Sequence, residues 1–318
     1  MPSSASRVHS RALGKGSSAD RIHDDRSHDN RVQAPSAILT TSCPDTTGIV
    51  AAVSGFLAAN NCLITEAQHF DDPYADMSFM RTVFHDNGKG APGLRELHDA
   101  FGRSVAEKFQ MQWRFHEAQR KCRAVIAVSK HVHCLNSMLH RWSTGTLPIE
   151  VVAVVSNHQD MRSLSEWHGV PYHYLPVLDG RKQEQEERMI ELFGRVDAEL
   201  LVLARYMQIL SPLACEFFAG QAINIHHSFL PGFKGAKAYH QAHERGVKLI
   251  GATAHYVTTE LDEGPIIEQE VARVDHTMSP DELVSIGSDL ESVVLNRAVK
   301  WHAERRVFTN GNKTVVLK

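Results

Sequence analysis

Apolar positions along the chain first acquire a regular period near residue 36. Before that point Ser, Arg, Asp and His dominate, aromatic residues are absent, and residues 1–35 read as a disordered tail. Arg7, Arg11 and Lys15 among serines faintly resemble a transit peptide, but Asp20, Asp24, Asp25 and Asp29 break that pattern. From 36 to 117 the pattern predicts strands at 37–41, 62–70, 77–85 and 111–115. Helices are predicted at 49–60, with Val50, Val53, Phe56 and Leu57 on one face, and at 94–109, with Leu94, Leu97, Phe101 and Val105. The order β-α-β-β-α-β is that of a ferredoxin-like unit. Glu117-Ala118-Gln119-Arg120-Lys121 is a polar hinge.

After the hinge, from 121 to 318, the period changes. Apolar runs at 123–129, 149–156, 172–175, 200–204 and 222–225 predict strands. Amphipathic segments at 133–142, 161–168, 181–193 and 213–219 predict the helices between them. That alternation implies an α/β, Rossmann-like, mostly parallel sheet buried on both faces. Strands at 253–257 and 265–274, a long helix at 281–305 and a strand at 314–317 complete the chain.

Composition narrows the function classes. A 318-residue chain with 42% hydrophobic and 22% charged residues is that of a globular protein of two domains. The formal net charge of −3 gives no electrostatic footprint for nucleic acid. No apolar run is long enough to span a bilayer. Cys43, Cys62, Cys122, Cys134 and Cys215 are scattered and odd in number, which suits reduced thiols in a cytoplasmic protein. Twenty histidines raise the question of metal at His131/His133, His226/His227 and His240/His243. No carboxylate or cysteine completes a metal motif there, so no metal is expected.

The chemistry concentrates in Asn224-Ile225-His226-His227-Ser228-Phe229-Leu230-Pro231 and in Asp262, within Glu260-Leu261-Asp262-Glu263-Gly264-Pro265. Alternate strand residues share a face, so Asn224 and His226 can serve one site. An amide can hold a developing oxyanion, an imidazole can move a proton, and a carboxylate can orient the imidazole and a water. The segment Phe229–Ala236, with its glycines and proline, reads as an irregular loop rather than a helix.

In order, Asn224-Ile225-His226, Phe229-Leu230-Pro231, Gly251-Ala252-Thr253-Ala254-His255 and Leu261-Asp262-Glu263-Gly264-Pro265-Ile266-Ile267 resemble the folate-dependent formyltransferase fold. His226-His227-Ser228 and Gly235-Ala236-Lys237-Ala238-Tyr239-His240-Gln241-Ala242 are most similar to the formyltetrahydrofolate deformylases, the 10-formyltetrahydrofolate hydrolases. Cys43-Pro44-Asp45-x-x-Gly48 resembles the start of the ACT domain that precedes the hydrolase module in that family. The likeness covers residues 36–318. The sequence departs from it at Ala238, where proline is usual, and at Ser288, where arginine is usual.

The resemblance implies hydrolysis of 10-formyltetrahydrofolate to formate and tetrahydrofolate, supplying formate for purine biosynthesis and balancing one-carbon pools, with the folate as substrate and no cofactor. Asn224, His226 and Asp262 would be catalytic. Met207, Gln208, Ile209 and Leu210, corresponding to the family's pterin-binding strand, would bind folate together with Glu260 and Gly264. His227 and Lys130 would stand behind them, although Lys130 and His131 read equally as plain surface. Transformylases that use a ribonucleotide carry a glycine-rich turn after the first catalytic strand. Here Ser129-Lys130-His131-Val132-His133-Cys134-Leu135 has no glycine, which points to water as acceptor. The ACT-like unit would place an amino-acid effector, glycine or methionine, at Asp45, Gly48, Asn60 and Asn61 between paired units, or would only build a homo-oligomer. The alternatives are a formyltransferase with another acceptor and a non-catalytic ACT-based sensor.

Overall fold

The computed structural model describes residues 36–178, 180–232 and 238–318. The expectation of a disordered tail at 1–35, and Gly235-Ala236-Lys237 of the family motif, lie outside them. The described residues form one compact unit built around two main sheets.

The first sheet comes from β1 (Ala37–Pro44), α1 (Ile49–Ala59), β2 (Cys62–Asp72), β3 (Met77–Asp86), α2 (Leu94–Phe101), a π-turn (Gly102–Ala106), α3 (Glu107–Phe109) and β4 (Gln112–Glu117). Its order is β2-β3-β1-β4, and all pairs are antiparallel. Ile49, Val53, Phe56 and Leu57 bury one face of α1 against the sheet, while the expected Val50 is 43% exposed. The apolar stripe therefore starts one residue earlier than expected. The expected single helix at 94–109 is broken by the π-turn. A Cβ on Gly102 would lie 3.0 Å from the Trp113 ring, so the extra residue of the turn lets backbone meet that ring.

The second sheet holds β5 (Cys122–Val128), β6 (Ile149–Ser156), β7 (Tyr172–Tyr174), β8 (Leu200–Leu203), β9 (Ala222–His226), β10 (Leu249–Tyr256) and β11 (Ile266–Arg273). The order is β11-β10-β9-β8-β5-β6-β7, parallel from β9 to β7, with β10 and β11 antiparallel at one edge. The connecting helices are α4 (His133–Ser143), α5 (Arg162–Trp167), α6 (Lys182–Arg195), α7 (Pro212–Phe217), α8 (Ala238–Glu244) and α9 (Pro280–Ala303). Alternation sends Ala124, Ile126 and Val128 towards Leu135, Met138, Val294 and Ala298, and Val125 and Ala127 towards Met189, Phe193 and Phe218. Burial on both faces is why these strands read as continuous apolar runs. The chain winds outward from β5 through β6 and β7, then crosses to β8 and β9. The sheet thus has its switch point between β5 and β8, where such sheets hold ligands.

A terminal hairpin of β12 (Val307–Asn310) and β13 (Lys313–Val316) joins the two sheets. Phe308 packs on Phe79 with ring centroids 5.7 Å apart, and Asn310 donates to Asp72 at 2.8 Å on the first sheet. Thr314 donates to the Ile266 carbonyl at 2.6 Å on the second. Arg81 donates to the Glu304 carbonyl at 3.0 Å and to Glu66 at 2.9 Å. β12 and α8 were not expected from the sequence. Asn310-Gly311, with Gly311 at φ 62°, was the available sign of the hairpin.

Helix α9 is fixed at its start by a reciprocal cap between Ser279 and Glu282. At Gly287 a Cβ would fall 2.1 Å from the Tyr239 ring. At Ser288, where the family has arginine, the hydroxyl turns back to the Val284 carbonyl at 2.9 Å. Gly287→Ala is expected to overpack the α8–α9 contact and cost about 1–3 kcal/mol, read as a lowered denaturant midpoint. An unchanged midpoint would show that Tyr239 is not held where the contact places it.

Candidate active site

The site opens at the carboxyl ends of β8 and β9, in a cavity of about 260 Å³. Ile223 and Ile225 point into the core, and Asn224 and His226, on the alternate face of β9, line the cavity. β10 runs back antiparallel beside β9, with His255 opposite Asn224 and Thr253 opposite His226. The turn after β10 then delivers Asp262 to the same cavity.

Asp262 Oδ1 lies 3.3 Å from His226 Nδ1 and 3.9 Å from His255 Nε2. All three side chains are almost fully buried. Asp262 itself adopts φ 59°, a left-handed conformation that Asp tolerates better than most residues. Burial pushes its carboxyl up, but the hydrogen bond from His226 and the nearby imidazoles outweigh that and hold it below the usual aspartate range. The geometry assigns the His226 proton at Nδ1 to Asp262.

His255 was not singled out from the sequence. Its Nδ1 donates to the Tyr256 carbonyl at 2.8 Å, so its Nε2 accepts from the Asn224 amide at 3.2 Å. Burial lowers its pKa despite the neighbouring carboxylate, which keeps the ring neutral and the acceptor in place. Its position opposite Asn224 on an antiparallel pair is the signal that alternation on both strands would have offered.

Gly264 does not line the cavity. A Cβ there would stand 1.7 Å from the Tyr256 carbonyl oxygen and 3.2 Å from His255 Nδ1. Its place is structural: it lets the Asp262 turn lie against the end of β10. Glu260 does line the cavity, as do Met207, Gln208, Ile209 and Leu210. These four form a loop rather than the expected strand. β8 ends at Leu203, Arg205 takes φ 62°, and Ser129 Oγ accepts from the Met207 N–H at 3.0 Å while donating to Asn157 Oδ1 at 2.7 Å. Met207 and Ile209 remain about half exposed at the mouth.

His227 lines the cavity beside His226, with ring centroids 5.0 Å apart, rather than standing behind it as expected. Burial first, then Arg205 and His226, push its pKa down to about 4, so it is neutral at pH 7. Lys130 is exposed and does not line the cavity, so it does not stand behind the three residues as expected. A buried polar cluster, also missed in the sequence, surrounds Glu291. It accepts from Tyr239 Oη at 2.9 Å and from His133 Nε2 at 2.8 Å, and Arg205 Nε lies 3.3 Å away. Among the described residues, His133, Cys134 and Glu291 are the one group close enough to share a metal. The set suits a cation poorly: Arg205 already balances Glu291, and burial holds the Cys134 thiol far above its usual range.

The proposed effector residues do not meet within one chain. Asp45 and Gly48 line a shallow cleft with His69 and Asp71, whereas Asn60 and Asn61 lie past the far end of α1. Eleven helical residues separate the two groups by about 16 Å.

Residues 122–299 match the formyl transferase family model. A formyltetrahydrofolate deformylase of Corynebacterium sp. (strain P-1) is 51% identical over 281 residues, covering 88% of this chain and 98% of that protein. The Bacillus subtilis (strain 168) formyltetrahydrofolate deformylase is 47% identical over 283 residues, covering 87% and 92%. The crystal structure of formyltetrahydrofolate deformylase from Burkholderia mallei ATCC 23344 superposes with a TM-score of 0.85 at 49% identity, covering 89% of this chain and all of that one. Glycinamide ribonucleotide transformylase 1 from Symbiobacterium toebii superposes at 0.60 with 27% identity and covers only 62% of this chain, against 95% of its own. The deformylases match nearly nine-tenths of the chain and the transformylase 62% of it, and this chain belongs to the formyltetrahydrofolate deformylase family.

Proposed function

We propose that the chain hydrolyses 10-formyltetrahydrofolate to formate and tetrahydrofolate at Asn224, His226 and Asp262. The observation that carries this is the Asp262–His226 contact at the floor of a cavity whose mouth is apolar and whose wall carries an oriented amide. One Asn224 N–H is held by His255, which aims the other at the formyl oxygen as it becomes an oxyanion. Asp262 holds the attacking water and fixes the His226 tautomer. His226 Nε2 then carries the proton to the departing folate nitrogen. The folate ring lies against Met207–Leu210 and the Glu260 turn.

Water as acceptor has its own support. The Ser129 N–H donates to the Arg205 carbonyl at 3.2 Å, and the Ser129 hydroxyl is committed to Met207 and Asn157. Ser129, the first residue of the turn after β5, therefore spends its polar groups inside the protein instead of offering them to a phosphate. For the first sheet we infer an amino-acid effector in the Asp45–Gly48 cleft, where the turn before α1 would meet a carboxylate and Asp71 an ammonium. Joining that cleft to Asn60 and Asn61 requires a second copy, and the edge strands β2 and β4 offer places for one to pair. Among the described residues no helix is long and apolar enough to cross a membrane.

Asp262→Asn and His226→Ala are expected to abolish formate release, with folate binding kept within a few-fold by fluorescence titration; near-normal turnover in either would sink the assignment. Asn224→Ala should lower kcat by ~10²–10³ through loss of one oxyanion donor. Gly264→Ala should leave the protein folded by circular dichroism yet strongly depress kcat, because the Asp262 turn must move off the Tyr256 carbonyl. Normal kcat would show that the turn position is irrelevant. His227 has a folded pKa below its ordinary value of 6.5, so the unfolded chain binds the extra proton. Stability should therefore be fully present above about pH 6.5 and fall as the pH drops towards about 4. His227→Gln should flatten that slope in urea unfolding, and an unchanged slope would mean His227 is already charged in the fold.

A further inference from the structure

Arg205 is the residue that the mechanism leaves unused. It is 9% exposed, sits at φ 62° two residues after the end of β8, and lines the same cavity as Asn224, His226 and Asp262. A long side chain in the left-handed region costs energy that the surrounding structure must supply, and such outliers gather at functional sites. Here the fold supplies it twice. The Arg205 carbonyl accepts from the Ser129 N–H at 3.2 Å, and the guanidinium is ion-paired along its Nε edge, 3.3 Å from Glu291 Oε2.

One Glu291 oxygen takes the Tyr239 hydroxyl and the other takes His133, and Arg205 meets the His133-bound oxygen as an ion pair alone. Nε itself makes no hydrogen bond. Among the described residues no carbonyl or carboxylate accepts from the terminal nitrogens. The result is a guanidinium ion-paired at one edge, whose two-nitrogen end has no acceptor among the described residues and can meet a ligand. Among the described residues lining the cavity it is also the sole lysine or arginine. His227 and His255, which line the same cavity, are neutral at pH 7.

The reaction creates an anion in this cavity. Water oxygen bonds to the formyl carbon, the carbon–nitrogen bond breaks, and its electron pair takes a proton on the folate nitrogen. The formic acid that remains releases its own proton and leaves as formate. A planar carboxylate matches the planar N–H pair of a guanidinium, which binds it through two parallel hydrogen bonds. We propose that Arg205 forms the carboxylate subsite of this enzyme, which takes formate as it is released and is held in place by Glu291. The proposal rests on the hydrolase reading given above.

The test uses the full-length enzyme with sodium formate as product inhibitor, tetrahydrofolate formation being followed by absorbance. Saturation-transfer NMR should show formate binding to the wild-type protein. Arg205→Lys keeps the charge but not the planar pair, and Arg205→Met removes both. Both variants should raise the formate inhibition constant at least about tenfold while the KM for 10-formyltetrahydrofolate moves less than about threefold. If the methionine variant folds poorly, the lysine variant decides. Unchanged formate inhibition in Arg205→Lys, or no formate binding to a wild-type enzyme that does release formate, overturns the subsite and leaves the hydrolase reading standing. An enzyme that releases no formate from 10-formyltetrahydrofolate overturns both.

Discussion

The antiparallel addition of β10 to β9 is the constraint on which the site depends. Parallel neighbours on one side deliver Asn224 and His226 at a strand end. A further parallel strand would have carried the chain away through a crossover of a dozen or more residues. Reversal instead sets His255 directly across from Asn224 and brings the next turn back over the same cavity. The turn is then pressed against the end of β10 by the absence of a side chain at Gly264. Asp262 reaches His226 because the backbone arrives there, and the imidazoles hold its charge once it has.

A second layer of order stands behind the first. Glu291, from the last long helix, gathers Tyr239, His133 and Arg205 at the back of the cavity. The same helix ends where Glu304 meets Arg81 of the first sheet and where the terminal hairpin bridges to Phe79 and Asp72. One rod of regular structure thus touches both the buried cluster and the front sheet. A buried carboxylate is costly without partners, and here each oxygen has them.

Much of this was legible in the residues. The buried strands appeared as unbroken apolar runs, such as Ile149–Ser156, because helices cover both faces. Alternation alone put Asn224 and His226 on one face. Other features depended on contacts that no local pattern carries. The family resemblance implies a strand at Met207–Leu210, but Ser129 and the left-handed Arg205 turn it into a loop. Glu291 sits among Asp289, Ser288 and Ser292 and reads as a solvated helix face, yet packing against α4 and α8 buries it. Val50 looked buried and Ile49 was passed over, since a one-residue shift of a helical stripe is decided by the sheet beneath it. The strands β1, β2 and β3 and the last strand, β13, were legible as apolar segments; its four-residue partner β12 was not.

The central claim is that water takes the formyl group at the Asn224–His226–Asp262 site. The most direct measurement is the isotopic content of formate made from 10-formyltetrahydrofolate in H₂¹⁸O, with no other acceptor present, by the wild-type chain and by Asp262→Asn. The account predicts formate carrying a single heavy oxygen from the wild type and none produced by the variant. Formate without heavy oxygen, formation only after a second acceptor is added, or normal production by Asp262→Asn would contradict it.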